Sequence, residues 1–320
     1  MTGASASGDG RIDVHQHMMP PVWAEAVVDA PNGPPFVPAW SEEDALRAMD
    51  AVGTRKGILS VTAPGVHLGD DAAARRLARA VNVFGAEVVG RRPDRFGLFA
   101  SLPLPDVEGA VAEAVFALDE LHADGVALMS NADGRYLGDP EFRPLWQALD
   151  ERAAVVFVHP TLVPGLPELP GAHGWVDFPF DTTRTAVHMV INGVLRDFPS
   201  VKIILSHAGG FVPYVAPRIE ALTMFSPGLS ADEVHRDLRR FYYDTALASG
   251  PATLAGLLEF AGPGHVVFGT DWPAAPLPVA TRFADSLDHF LTTRPGWSDR
   301  INHETTASLI PQRGERPCLT

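Results

Sequence analysis

The amino-acid sequence predicts an α/β protein, a (β/α)8 TIM barrel, from three observations. Eight short apolar runs of strand character recur along the chain, segments with helical patterning separate them, and 320 residues is a length that α/β barrels fill as one unit. In order the strand runs are RIDVH at 11–15, GILSV at 57–61, RFGLFA at 95–100, GVALMS at 125–130, AVVFVH at 154–159, VKIILSH at 201–207, RFYYDT at 240–245 and HVVFGTD at 265–271. Between them, stretches such as AAARRLARAVNVFGAEVV and VEGAVAEAVFALDELHA repeat apolar residues at three- and four-residue spacing, the stripe of an amphipathic helix. Strands that alternate with helices pair in parallel, and eight such units match a closed barrel better than an open sheet.

Composition narrows the partners. Lys and Arg number 25 against 39 Asp and Glu, a net charge of −14, which argues against nucleic acid and anionic membrane surfaces. Hydrophobic residues make up 46%, enough for a sizeable core, and no apolar run approaches the roughly 20 residues that span a bilayer. Residues 1–10, MTGASASGDG, read as a flexible tail and not a secretory signal, which leaves 11–320 as a single barrel domain. The only cysteine, Cys318, permits neither an internal disulfide nor a cysteine metal cluster. A reducing cytoplasm is the expected compartment, and a transition metal would be held by His, Asp or Glu. Residues 20–39 and 160–180 are too proline-rich for regular elements and follow strand ends, where this fold assembles its sites, so substrate-covering loops are expected there.

The histidines carry the strongest chemical signal. Four of the twelve fall at or just past the C-terminal ends of predicted strands. His15 and His17 share one face of an extended segment by their two-residue spacing, His159 ends VVFV, His207 ends KIILS, and Asp271 follows HVVFGT. Alone, each has a plainer reading: a hydrogen-bonded structural histidine, or an aspartate capping the next helix. Five such groups at equivalent places on one barrel rim point instead to a site for zinc or another first-row divalent ion.

RIDVHQH, VVFVHP, IILSHAGG and VVFGTDWP resemble the four signatures of the amidohydrolase superfamily, in its amidohydrolase-related branch of nonoxidative decarboxylases. That branch includes aminocarboxymuconate-semialdehyde decarboxylase and the hydroxybenzoate decarboxylases. The resemblance runs from Arg11 to the region of Asn302, and implies a TIM barrel of the metal-dependent hydrolase type. It implies further that His15, His17, His159 and Asp271 ligate one divalent ion, with His207 beside it as acid or base. Several hydroxybenzoate decarboxylases carry Glu-x-His where this chain has His-x-His; three imidazoles and a carboxylate favour Zn2+, with Mn2+ the runner-up. Lys56 and Lys202, the only lysines, sit at strand starts, and GVALMS has none, so no carbamylated lysine bridges two metals and a mononuclear site is expected. WSEEDALRAMDAVG, RFGLFASLPLPD and FYYDTALASGP are most similar to 6-methylsalicylate decarboxylase-like proteins. The activity implied is carbon dioxide release from a hydroxylated aromatic carboxylic acid.

In that chemistry a metal chelated by the carboxylate and an ortho hydroxyl stabilises developing charge, while Asp271 or His207 protonates the ring carbon. The sequence leaves the choice between those two open. It also leaves hydrolysis of an amide, ester or lactone on the same ligands as the alternative, and a metal-holding scaffold without turnover as a third reading. Substrate contacts are expected from Trp272 and from His67 and His173 in rim loops, where solvated positions are the plainer reading. Trp175, Phe178 and Phe180 are expected chiefly as loop anchors. Arg218, eleven residues after His207, corresponds to an arginine that in the resembled family reaches the neighbouring subunit's substrate, which implies a homodimer; a surface arginine is the plainer reading. The loop PNGPPFVPAW lacks the second arginine of aminocarboxymuconate-semialdehyde decarboxylase, which argues against a dicarboxylate substrate. His122, His188, His235, His265, His289 and His303 read as structural. The sequence has no GxSxG, GxxxxGK or post-strand GxGxxG, so serine hydrolysis, nucleotide transfer and dinucleotide chemistry lack support.

Overall fold

A computed structural model describes residues 10–30, 36–163, 165–166, 173–226 and 228–310, apart from the side chain of His173. Eight parallel strands lie in sequence order in one sheet: β1 (Arg11–His17), β2 (Thr54–Ser60), β3 (Phe96–Ser101), β4 (Gly125–Met129), β5 (Val155–His159), β6 (Lys202–Leu205), β7 (Tyr242–Asp244) and β8 (Val266–Val267). The segment after β8 returns to β1 and brings the ends of the sheet together. Val14 N donates to Phe268 O at 3.0 Å and His17 N to Trp272 O at 2.7 Å. Each of the eight expected runs supplies one strand.

The main helices are α1 (Pro21–Val28), α2 (Glu42–Ala51), α3 (Asp71–Arg91), α4 (Val107–Val115), α5 (Arg143–Asp150), α6 (Phe178–Ile191), α7 (Val194–Asp197), α8 (Val212–Leu222), α9 (Ala231–Leu238), α10 (Pro251–Ala261) and α11 (Leu277–Leu291). Helix α3 illustrates why they form. Asp70 caps its first turn by accepting from Ala73 N at 2.7 Å, and Ala74, Leu77, Ala78, Val81, Gly85 and Val88 bury one stripe. A Cβ on Gly85 would lie 2.6 Å from Leu98 Cδ1 and 2.9 Å from Met18 Cε, so glycine lets this helix settle close onto the sheet. Inside the barrel a separate core joins Ile12, Val14, Ile58, Phe99, Phe157 and Ile204, with Ile310 packed among them.

Two expectations are corrected. Residues 20–39 and 160–180 are not wholly irregular: α1 occupies Pro21–Val28, and α6 begins at Phe178 after a π-helical turn at His173–Asp177. Pro21 and Pro179 sit in the first turns of these two helices, where a missing N–H costs nothing and the fixed φ suits a helix. The tail 1–9, residues 31–35, 164 and 167–172, and Cys318 lie outside the described residues. Among the described residues no helix is long and apolar enough to cross a membrane.

Strand β1 departs from simple alternation in a way that makes the site. Ile12 and Val14 both face the interior core, so a regular strand would turn His15 and His17 outward. A register irregularity between Asp13 and Gln16 resets the alternation and brings both imidazoles inward. Asp13 braces the irregularity: its carboxylate accepts from His15 N at 3.0 Å, Thr270 N at 3.1 Å and Thr270 Oγ1 at 2.6 Å. Burial pushes the Asp13 carboxyl up to about 7 against those hydrogen bonds.

Candidate metal centre and substrate cleft

His15 and His17 at the end of β1, His159 at the end of β5, and Asp271 beyond β8 converge at the C-terminal mouth of the barrel. One ligand atom from each lies within 4.8 Å of all the others, and all four residues are buried. Each imidazole has its Nδ1 engaged away from the centre. His15 Nδ1–H donates to Asp244 Oδ2 at 2.6 Å, His159 Nδ1–H donates to Pro160 O at 2.7 Å, and His17 Nδ1 pairs with Ser60 Oγ at 3.3 Å. The acceptors Asp244 and Pro160 O fix the tautomers of His15 and His159 that leave Nε2 free to ligate, and the Ser60 contact orients the His17 ring in the same sense. His15 Nε2 and His17 Nε2 stand 3.2 Å apart, and Asp271 Oδ1 lies 3.1 and 3.0 Å from them.

The electrostatics ask for a cation here. Burial pushes His15 downward, but the flanking Asp271 and Asp244 carboxylates outweigh it and lift the imidazole to about 10. Burial, joined by the charge of His15, holds His17 below its ordinary value; burial with the charges of His17 and His15 holds His159 well below. Burial acts to raise Asp271, yet the charge and hydrogen bond of His15 and hydrogen bonds from His17 and His207 keep it well below the carboxylate range. His17 and His159 are held neutral and Asp271 ionised, the states that ligate a divalent ion, whereas the positive charge that Asp271 and Asp244 draw onto His15 is one that a bound ion would replace by displacing the His15 proton. The donor set therefore fits one such ion.

His207 stands at the rim of this group. Its Nε2 lies 3.3 Å from Asp271 Oδ2, and its buried Nδ1 has no hydrogen-bond partner among the described residues. His207 and Asp271 both adopt left-handed backbone, with φ of 53° and 64°. Such conformations cost non-glycine residues about 1–3 kcal/mol and persist where surrounding bonds impose them. Here His207 N donates to Asp244 Oδ1 at 2.7 Å and Asp271 N donates to His15 O at 2.7 Å.

Asp244, at the end of β7, is the residue that sequence reasoning missed. It is fully buried and joins His15 to His207, orienting one with each carboxylate oxygen. The signal was present in RFYYDT, where an aspartate ends a predicted strand as His159 and His207 do. Asp244→Asn would set an amide against His15 Nδ1–H or the His207 amide, and metal affinity is expected to fall about 10- to 100-fold. Competition against a chromogenic chelator measures this, and wild-type affinity in the variant would remove Asp244 from the site.

Beside the metal group a cleft of about 520 Å³ opens over the ends of β2 to β5, walled by Val66, His67, Leu102, Met129, Asn131 and Thr161. None of the four candidate ligands lines it. It reaches Ala127, which pairs across the sheet with Phe157, whose ring packs 4.9 Å from His15. No lysine or arginine lines it among the described residues.

The expected substrate contacts divide. His67 lines the cleft, with Nε2 2.9 Å from Asp71 Oδ1. Trp272 does not: it is buried with Gln16, Met49 and Leu277 beneath α2, because Asp271 turns inward and the next side chain points to the opposite face. Arg218 is exposed on α8, away from its own chain's cleft lining. The side chain of His173 lies outside the described residues, Trp175 is exposed, and Phe178 packs 6.4 Å from His159. Lys202 is exposed at the start of β6 and Lys56 lies in the first half of β2, so neither reaches the metal group.

A protein-family model described as amidohydrolase matches residues 12–310. The chain is 40% identical over 298 residues to 6-methylsalicylic acid decarboxylase of Penicillium expansum, an alignment covering 88% of this chain and 90% of that one. It is also 40% identical over 323 residues to 6-methylsalicylic acid decarboxylase of Aspergillus aculeatus, covering 94% and 96%. A solved structure described as an amidohydrolase II superposes with a TM-score of 0.87 at 31% identity, over 93% of this chain and 99% of that one.

Proposed function

The chain belongs to the amidohydrolase family, and from that premise we propose that it is a metal-dependent nonoxidative decarboxylase of a hydroxylated aromatic carboxylic acid, 6-methylsalicylate or a related hydroxybenzoate. One observation carries the reading. Three imidazoles and a carboxylate converge beside a cleft of mixed polar and apolar lining, in a chain 40% identical over nearly its whole length to decarboxylases of such an acid.

His15, His17, His159 and Asp271 would hold the ion; their nitrogen-rich set favours zinc, with manganese the other candidate. When bound, it supplies a Lewis acid that fixes the substrate's carboxylate and ortho hydroxyl and offsets developing negative charge. His207 delivers the proton to the ring carbon that bears the carboxylate. The bond to the carboxylate carbon then breaks, its electron pair restores the aromatic ring, and carbon dioxide leaves. Geometry favours His207 over Asp271 for this step. Asp271 Oδ1 is committed to two imidazoles, whereas His207 Nε2 touches only the outer oxygen, Asp271 Oδ2. His67 in the cleft wall is the substrate contact this reading retains.

The assembly we infer is a homodimer through the exposed side of α8 and the turn after it. Tyr214 is 89% exposed in the first turn of that helix, Arg218 is exposed one turn on, and Met224 and Phe225 are 78% and 73% exposed just beyond its end. Clustered apolar exposure of this kind marks interaction surfaces; a one-chain mass in sedimentation would end the inference. The function itself is tested by metal content and carbon dioxide release over hydroxybenzoates with and without an ortho hydroxyl. About one ion per chain and release only from ortho-hydroxy acids are expected. Cleavage of lactones or amides without carbon dioxide would overturn the reading in favour of hydrolysis.

A further inference from the structure

The wall of the cleft farthest from β1 depends on a residue that never touches the cleft. Asp181, in the first turn of α6, is fully buried. It accepts hydrogen bonds from three side chains of one segment: Ser130 Oγ, Asn131 Nδ2 at 2.8 Å and Tyr136 Oη at 2.7 Å. That segment includes a small hairpin, Asn131–Ala132 with Arg135–Tyr136, which follows β4. The same donors reach onward. Ser130 Oγ accepts from Thr161 N at 3.0 Å, and Asn131 Nδ2 also donates to Leu162 O at 3.0 Å. Asn131, Ala132, Thr161 and Leu162 all line the cleft. The Arg184 guanidinium lies over the Tyr136 ring at 4.8 Å, so α6 holds Tyr136 both at its hydroxyl and at its ring.

We propose that Asp181 is a positioning residue for substrate: it ties the hairpin after β4 and the chain after β5 to α6, and so sets the shape of the cleft that receives the ring. The proposal rests on the decarboxylase reading. Its logic is the count of donors. Both carboxylate oxygens accept, Oδ2 from Ser130 and Asn131 and Oδ1 from Tyr136, so a side chain with one acceptor oxygen keeps at most two of these three bonds in their present direction. Asp181→Asn faces an NH2 group toward at least one of these donors. The metal ligands come from β1, β5 and the segment beyond β8, and their link to the hub is through backbone, Ser130 N donating to His159 O at 2.7 Å, a bond in which the Asp181 side chain takes no part.

The expected result for Asp181→Asn is a KM for the hydroxybenzoate raised about tenfold, with kcat within about twofold and metal content unchanged. Tyr136→Phe, which deletes one donor and leaves the carboxylate, raises KM by a smaller factor in the same direction. A lowered melting temperature with KM unchanged assigns Asp181 to stability alone and overturns the proposal, as does a fall in kcat accompanied by metal loss. If the wild-type protein releases carbon dioxide from no hydroxybenzoate, the decarboxylase reading has failed, and hydrogen exchange decides the hub. Faster exchange in Asp181→Asn at 131–136 and 161–163, with β1 unchanged, upholds the tie to the cleft wall; unchanged exchange there overturns it.

Discussion

Stripping the ion with a chelator, or replacing His159 with alanine, is expected to lower carbon dioxide release by about 10³-fold or more. The figure follows from the several kcal/mol of charge stabilisation that a metal supplies, at about 1.4 kcal/mol per factor of ten. His159→Ala is the sharper form of the experiment, because it removes one Nε2 and leaves the rest of the group in place. His15 remains tied to Asp244 and His17 remains beside Ser60. The fold should survive, since the core that packs β5 consists of Val155, Val156, Phe157 and Val158 and does not use the imidazole. Restoring zinc should recover the chelated wild type and fail to recover the variant. The melting temperature of the wild type should also rise with added metal, because an ion that binds only the folded chain stabilises it by mass action. Full activity in metal-free protein, verified by elemental analysis, would sink the metal centre and the mechanism built on it.

The strands were legible because each one buried on both faces reads as a short apolar run, and the placement of His159, His207 and Asp271 at the ends of those runs carried the site. Other features were hidden for definite physical reasons. The two-residue spacing of His15 and His17 fits the observed inward orientation, but Ile12 and Val14 fit it too, and only the irregularity braced by Asp13 reconciles the two pairs. A hydrogen bond from a backbone amide beyond β6 to an aspartate on β7 leaves no spacing pattern in the sequence, so Asp244 passed as the end of a strand. Helix α1 was masked by prolines that break helices in their interiors but open them in their first turns. Trp272 was misjudged because adjacency in sequence to Asp271 places it on the opposite face. Asp181 lies 50 residues from Asn131 and 51 from Ser130, and only the closed barrel makes them neighbours.

Replacing His207 with asparagine is expected to lower kcat by about 10²- to 10⁴-fold, the range that a positioned general acid contributes, while metal content stays at the wild-type level. Asparagine is the informative choice because the backbone here is left-handed, with φ of 53° at His207. Among non-glycine residues asparagine tolerates that region well, so the loop that also carries Ala208 and Gly209 keeps its path. The bond from the residue 207 amide to Asp244 Oδ1 belongs to the backbone and is retained, so Asp244 continues to hold His15. What is lost is the imidazole 3.3 Å from Asp271 Oδ2, and with it the proton for the ring carbon. The three possible outcomes separate three chemistries. A large fall in kcat with metal retained assigns the proton to His207. Loss of metal together with activity makes His207 a ligand. An unchanged rate hands the proton to Asp271, and the short contacts that bind Asp271 to His15 and His17 would then have to open when substrate enters.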